Sequence, residues 1–227
     1  MPSALLPSDA AITTLYVARH GQSEWNNQSL ITGQLNPALS PKGAQQSEAL
    51  ARCLHDEPLA AIYASDLQRT VDTSQPTATQ KGMAIVRLPG LNEIHLGVLQ
   101  GRHRDDRDPE AQALWAQWQA DLWGFCVPGG ERMDEFAQRV EAALYALLQR
   151  HRGERILIVG HRATNRVLLG TLLGAWAAEG RRLQRARNRP IAALPRTPIA
   201  SAMSFSASPR CTGFRTFRFD AFCRPRS

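Results

Sequence analysis

Two histidines in this chain each follow an apolar run of the kind that forms a buried strand. Residues 12–18 precede Arg19 and His20, and residues 156–160 precede His161. Because the carboxyl ends of parallel strands meet at one edge of a sheet, we expect the two imidazoles to lie at the same edge. A neutral imidazole in such a place can attack an electrophilic phosphorus atom.

An arginine and a glutamate follow two further predicted strands. Arg69 lies one turn into a helix after the apolar run 59–64, and Glu93 lies in the loop after residues 84–88. The planar guanidinium of arginine matches the oxygens of a phosphate, and a carboxylic acid can give its proton to a leaving alcohol. This edge of the sheet therefore has the parts needed to move a phosphoryl group without a metal.

The chemistry that these five side chains predict is a two-step displacement. His20 attacks phosphorus and becomes phosphorylated, while Arg19, Arg69 and His161 neutralise the phosphoryl oxygens. Glu93 protonates the departing oxygen and then accepts a proton from the attacking water. Each residue also has an ordinary alternative, because a lone histidine at a strand end is often structural and Arg69 could be a solvated helix residue.

The elements that must position these residues alternate along the chain. Alternating strands and helices predict an α/β fold: a doubly wound, largely parallel sheet with helices on both faces. Residues 91–101 have no clear period and are predicted to form a ligand-facing loop. Five helices are predicted. One is capped by Ser65-Asp66 and carries residues 67–73. The others span 40–55, with Ser40 as the N-cap, 109–123, 131–151 and 164–173.

Length and composition are those of a globular protein. A chain of 227 residues with 43% hydrophobic residues can form one α/β domain, and no stretch reaches membrane-spanning length. We therefore expect a soluble, cytoplasmic protein with no membrane partner. The spacing of the cysteines argues against a zinc site or a disulfide framework, without excluding one bridge; they are Cys53, Cys126, Cys211 and Cys223.

The net charge of +7 is concentrated near the carboxyl end. Residues 175–227 contain eleven arginines against two acids, whereas the rest of the chain is nearly neutral. We predict a catalytic domain over 1–174 and a basic tail over 175–227 that is a disordered extension, with one plausible strand over 213–220. A shifted reading frame after Gly174 is an alternative, and binding of the arginines to nucleic acid is a less favoured one.

Five segments together resemble the successive motifs of the histidine phosphatase, or phosphoglycerate mutase-like, superfamily. The resemblance extends over most of residues 12–174, and several ordered motifs are far more specific than an Arg-His-Gly triplet alone. The segments are 15–33 (LYVARHGQSEWNNQSLITG), 39–43 (LSPKG), 62–73 (IYASDLQRTVDT), 91–101 (LNEIHLGVLQG) and 156–161 (ILIVGH).

The resemblance implies roles for individual residues. His20 matches the phosphorylated histidine of the family, Glu93 matches the proton donor, and Arg19, Arg69 and His161 match the remaining phosphate-pocket residues. No metal or other cofactor is implied.

Three more residues match substrate contacts of the family. Asn26 matches a polar contact to the transferred phosphate, although it could equally cap or close a turn. Thr32 and Gly33 match substrate-side contacts of the mutase members.

The chain also departs from the family pattern. Arg162 stands after the second histidine, where the family often has glycine, and the stretch between Glu93 and His161 looks shorter than in cofactor-dependent mutases. Arg102 and Arg104 could replace the basic residues of that stretch only in part. We therefore expect a phosphatase of a small phosphorylated metabolite, with a mutase and a non-catalytic phospho-ligand-binding module as alternatives and the oligomeric state open.

Overall fold

The computed structural model describes residues 12–173, 199–201 and 216–223. Six strands form one sheet in the order β3-β2-β4-β1-β6-β5. The strands are β1 (Ile12–Arg19), β2 (Ala61–Ala64), β3 (Ile85–Arg87), β4 (Arg155–Gly160), β5 (Ile199–Ser201) and β6 (Thr216–Cys223).

Helices connect the parallel strands, and two short 3₁₀ turns lie between β3 and the fourth helix. The turns are Pro89–Leu91, which ends where the predicted loop 91–101 begins, and Gly97–Leu99, which lies inside that loop. The helices are α1 (Glu24–Asn27), α2 (Pro41–Cys53), α3 (Gln68–Lys81), α4 (Pro109–Ala120), α5 (Met133–Arg150) and α6 (Arg162–Leu172).

The four strands β3, β2, β4 and β1 are parallel, which confirms the predicted fold class. β6 pairs antiparallel with β1, and β5 pairs antiparallel with β6. The strand predicted over 213–220 is confirmed with shifted bounds. Two parts of the basic tail therefore contribute backbone to the sheet, although its composition predicts a disordered extension. The boundary at residue 174 stays a prediction, because residues 174–198 lie outside the described residues.

Alternate residues of the central strands face opposite sides of the sheet. Leu15 and Ile158 contribute to a core with Phe136 of α5, whereas Tyr16 and Leu157 contribute to a second core on the other face. This two-residue alternation follows from the pleat of a strand. Helices therefore cover both faces, α2 and α3 on one and α5 and α6 on the other.

The starts of two helices show where local signals worked and where they did not. α2 begins as predicted, because Ser40 Oγ accepts the N–H of Gly43 at 3.1 Å and Pro41 occupies the first turn. The predicted Ser65-Asp66 cap of α3 is wrong: the N-cap is Leu67, which makes no side-chain capping bond. Ser65 Oγ accepts the N–H of Leu67 at 3.1 Å and also bonds to a histidine from a distant part of the chain, as described below.

Of the helices that the structure describes, none combines the length and apolarity needed to cross a bilayer. Cys126 is a free thiol, whereas Cys53 at the end of α2 is disulfide-bonded.

Candidate active site

His20 lies directly after β1 and is held as a neutral ring with one free nitrogen. Its backbone N–H donates to Gly160 at 3.0 Å, which ties the end of β1 to the end of β4. Its Nδ1 lies 2.7 Å from the carbonyl oxygen of Gly21. Because a carbonyl can only accept, Nδ1 carries the hydrogen and the lone pair is on Nε2. Burial, followed by the charges of Arg69 and Arg19, lowers the pKa of His20 to about 3.

The glycine after His20 is required by close packing against α2. A Cβ on Gly21 would lie 2.6 Å from the carbonyl oxygen of Gly43, and a Cβ on Gly43 would clash with the carbonyl oxygen of Gln22. The N–H of Gly21 donates to Thr73 Oγ1 of α3 at 2.9 Å. The glycines of two separate motifs therefore fix the loop that carries His20.

His161 follows β4 and its ring faces that of His20. The ring centroids are 5.2 Å apart at an interplanar angle of 58°. His161 is fully buried, and its Nε2 lies 2.7 Å from Ser65 Oγ, which fixes the ring orientation. Its Nδ1 is buried with no partner among the described residues. Burial, with the charge of Arg69 next in size, lowers the pKa of His161 well below its ordinary value.

Arg69 is a buried cation in the first turn of α3, as the second residue of the helix. Only 1% of the residue is exposed, and its guanidinium donates to the carbonyl oxygens of Leu35 at 2.7 Å and Gly33 at 2.8 Å. Desolvation lowers the pKa of Arg69 to about 10, against the opposing effect of Glu93, so the group stays charged at neutral pH. The Nε–H is buried without a partner among the described residues. The alternative of a solvated helix residue is therefore wrong.

Three further arginines lie at this site or near it: Arg19, Arg104 and Arg162. Desolvation lowers the pKa of Arg19 despite Glu93, and the like charges of Arg162 and Arg104 lower it further. Arg162 is an exposed residue at the start of α6, and the guanidinium of Arg104 lies 5.9 Å from the ring centroid of Trp115. Their electrostatic effect on Arg19 means that the unusual Arg162 adds positive charge to the site.

Glu93 reaches the same edge from the loop after β3. Its carboxylate accepts the N–H of Ala163 at 3.1 Å and that of Thr164 at 3.3 Å, in the first turn of α6. It also accepts the N–H of Ile94 at 3.1 Å. The N–H groups of Ala163 and Thr164 lack hydrogen-bond partners within α6. The positive end of the dipole of α6 also favours an acidic side chain there. α6 thus carries His161 at its N-cap and Glu93 against its first turn.

The three predicted substrate contacts are placed differently. Asn26 Oδ1 accepts the N–H of Ser23 in a capping box of α1, which leaves its Nδ2 with no partner among the described residues. Gly33 is buried at φ +49°, and its carbonyl accepts from Arg69, so its backbone supports the phosphate pocket. Thr32 is half-buried beside it, and its carbonyl accepts the N–H of Leu35.

Sequence reasoning misses three polar residues that position the site. Ser65 orients His161, Thr73 binds Gly21, and Asn165 Nδ2 donates to the carbonyl oxygen of Ala18 at 3.0 Å, two residues before His20. The one available signal is Asn165 itself, a polar residue on the buried face of an amphipathic helix.

The arrangement is suited to a tetrahedral anion. Two unpaired buried nitrogens, Arg69 Nε and His161 Nδ1, belong to a site with four arginines and one carboxylate. An unprotonated imidazole nitrogen stands beside them. Among the described residues no three His, Cys, Asp or Glu side chains form a group that could hold a metal ion.

Comparison with known proteins gives a consistent family. The model of the "Histidine phosphatase superfamily (branch 1)" matches residues 15–196. A protein of Yersinia pestis (strain Pestoides F) named "Probable phosphoglycerate mutase GpmB" is 36% identical over 170 residues, which are 75% of this chain and 79% of that protein.

Solved structures of phosphatases have the same fold. The alpha-ribazole phosphatase of Shigella flexneri aligns with a TM-score of 0.66 at 28% identity, covering 71% of this chain and 80% of that one. A mycobacterial glucosyl-3-phosphoglycerate phosphatase aligns with a TM-score of 0.65 at 28% identity, covering 72% and 80%.

Proposed function

We propose, from the premise that this chain belongs to the histidine phosphatase superfamily, that it hydrolyses a small phosphomonoester through a phosphohistidine intermediate and without a metal. The observation that carries the proposal is the pair of facing imidazoles. His20 is neutral with its lone pair on Nε2, and the ring of His161 is 5.2 Å away with an unpaired Nδ1.

In the first step His20 Nε2 attacks phosphorus and the bond to the leaving oxygen breaks. Arg69 and Arg19 balance the charge of the phosphoryl oxygens, and His161 Nδ1 contacts one of them. Glu93 gives its proton to the leaving oxygen, which departs as an alcohol. The low pKa of His20 supports this role, because the ring remains unprotonated in weakly acidic solution.

In the second step water attacks the phosphohistidine. Glu93, now a carboxylate, accepts a proton from that water, and His20 Nε2 leaves with its electron pair. Free phosphate is released and the enzyme returns to its starting state. No group beyond the five predicted side chains and water takes part in the balance of atoms.

Hydrolysis is favoured over mutase action by two observations. The two phosphatase structures above are 28% identical in sequence to this chain over the aligned residues, and the stretch between Glu93 and His161 looks short for a mutase. The curated relative named as a mutase keeps isomerisation as the second candidate. A small phosphorylated metabolite is the proposed substrate, with no finer identity.

The first test is to trap phosphate on the protein. Incubation with a panel of phosphorylated metabolites and rapid acid-free quenching should leave one phosphoryl group on His20, detected by peptide mass spectrometry. His20→Ala should lose the label and at least about 1,000-fold of the turnover, because the nucleophile is gone.

A matched control is His55→Ala, which removes an exposed histidine on the far end of α2 and should retain full turnover. Phosphate release and phosphoglycerate isomerisation are measured in the same mixtures. Isomerisation without phosphate release would select the mutase, and substrate binding without any label on His20 would select the non-catalytic module.

A further inference from the structure

Arg139 of α5 uses every N–H of its guanidinium, and three of these bonds go to the backbone around Glu93. Nη1 donates to the carbonyl oxygens of Gly90 at 3.1 Å and Asn92 at 2.8 Å, and Nη2 donates to that of Glu93 at 3.0 Å. Nε and Nη2 donate to the two carboxylate oxygens of Glu131 at 2.6 and 2.9 Å. Five donors meet five acceptors, so nothing of this side chain remains for substrate.

Only an arginine can make this set of contacts. The five donors lie in one plane with fixed directions, whereas a lysine ammonium has three donors on a flexible stem. The guanidinium also makes a cation–π contact, because it lies 4.8 Å from the ring centroid of Phe136. Arg139 and Glu131 are 25% and 16% exposed, so their ion pair is shielded from much of the solvent.

Glu131, the ion-pair partner of Arg139, binds the same loop at a second position. Its backbone N–H donates to the carbonyl oxygen of His95 at 2.8 Å, and its carboxylate accepts the N–H of His95 at 3.3 Å. The pair of Arg139 and Glu131 therefore holds the loop on both sides of Glu93, at residue 92 and at residue 95.

The backbone of Glu93 and its carboxylate are thus held by different helices. Its backbone is bound to α5 through Arg139, and its carboxylate is bound to the first turn of α6 through Ala163 and Thr164. A proton donor works only when its oxygen lies within hydrogen-bond reach of the leaving group, and an error of about 1 Å can cost 100-fold. Without the α5 contact the carboxylate would keep its chemistry, and the backbone that carries it would lose three hydrogen bonds.

We propose that Arg139, supported by Glu131, is a positioning residue that aims Glu93 at the leaving-group oxygen. The proposal rests on the proposed phosphohydrolase function. It assigns to α5, which contributes none of the five predicted catalytic side chains, control over the protonation of the leaving group.

The test measures kcat/KM for phosphomonoesters whose leaving groups range from p-nitrophenol to a simple alkyl alcohol. In Arg139→Lys, kcat/KM should fall about 10- to 100-fold for the alkyl ester and no more than about 3-fold for the p-nitrophenyl ester, since only the poor leaving group needs the proton. Glu93→Gln should show the same dependence with a larger loss. The inhibition constant of inorganic phosphate should change less than about 3-fold, because Arg19, Arg69 and His161 remain in place.

The double variant Glu93→Gln, Arg139→Lys separates positioning from general damage. If Arg139 acts through Glu93, the double variant should be no slower than Glu93→Gln alone. Arg150→Lys, at an exposed arginine of the same helix, is the matched control and should behave as the wild type. Glu131→Gln keeps the backbone contacts of Arg139 and should give an intermediate loss, which provides a second variant if Arg139→Lys unfolds.

Two kinds of result would contradict the role of Arg139. Equal losses for both esters, or losses that multiply in the double variant, would show that Arg139 does not act through Glu93 while leaving the phosphatase intact. A wild type that releases no phosphate from any ester would overturn the proposed function, and the role of Arg139 with it.

Discussion

His151 lies just before β4 and His161 just after it, and both residues are buried, with 6% and 0% exposed. Both ring nitrogens of His151 have partners: Nε2 lies 2.6 Å from the hydroxyl of Tyr63, and Nδ1 lies 2.6 Å from the carboxylate of Glu154. His161 has a partner for Nε2 in Ser65, whereas its Nδ1 has none among the described residues.

The difference supports a structural role for His151 and the proposed phosphate-binding role for His161. Buried polar atoms are normally hydrogen-bonded, so an orphaned one points to a ligand that would complete it. At the amino end of β4 both ring nitrogens of His151 are hydrogen-bonded, which stabilises the fold. At the carboxyl end Arg69 Nε and His161 Nδ1 remain unused together, which is the condition for binding an anion.

The sharpest way to break this comparison is to replace each histidine by glutamine. His161→Gln should lower kcat/KM by about 100-fold or more, because a phosphate contact is lost in the transition state. His151→Gln should leave kcat/KM unchanged and reduce the free energy of unfolding by about 1–3 kcal/mol, because buried partners lose their bonds. Steady-state kinetics and urea unfolding check both, and a His151→Gln enzyme with the kinetic defect would dissolve the distinction.

A smaller effect is expected when the partners are changed and the histidines are kept. Ser65→Ala should lower kcat/KM about 10-fold, because the ring of His161 loses the bond that orients it. Tyr63→Phe should cost about 1 kcal/mol of stability with full activity. The same two assays apply, and identical profiles for the two variants would argue against separate roles.

The last prediction concerns the pH dependence of stability. The pKa of His20 is about 3 in the folded chain and about 6.5 when unfolded, so between these values the unfolded state binds more protons. Stability should therefore rise with pH over this window and be lost as pH falls below about 6.5. His20→Gln should reduce the slope by up to about 1.4 kcal/mol per pH unit, whereas His55→Gln should leave it unchanged. Urea unfolding at pH 4.5 to 7.5 measures this, and equal slopes for His20→Gln and the wild type would contradict the lowered pKa.

The sequence predicted the elements better than it predicted their ends. The strand before His20, the Ser40 cap and the amphipathic helix over 131–151 depend on neighbours within a few residues, and each is found close to its predicted place. The helix predicted to begin at Thr164 instead begins at Arg162, next to His161. That small shift matters, because it puts the unsatisfied N–H groups of α6 beside Glu93.

What the sequence determined by itself is the set of reactive side chains and the kind of strand that delivers them. His20, Arg69, Glu93 and His161 follow apolar segments whose burial requires a sheet covered on both faces, so their common edge is implied by pattern alone. Only the tertiary structure decided that Ser65 orients His161, and that Arg139 holds the loop of Glu93. Such contacts join residues 46 and 96 positions apart, and no local pattern specifies which polar group across the fold will accept a given hydrogen bond.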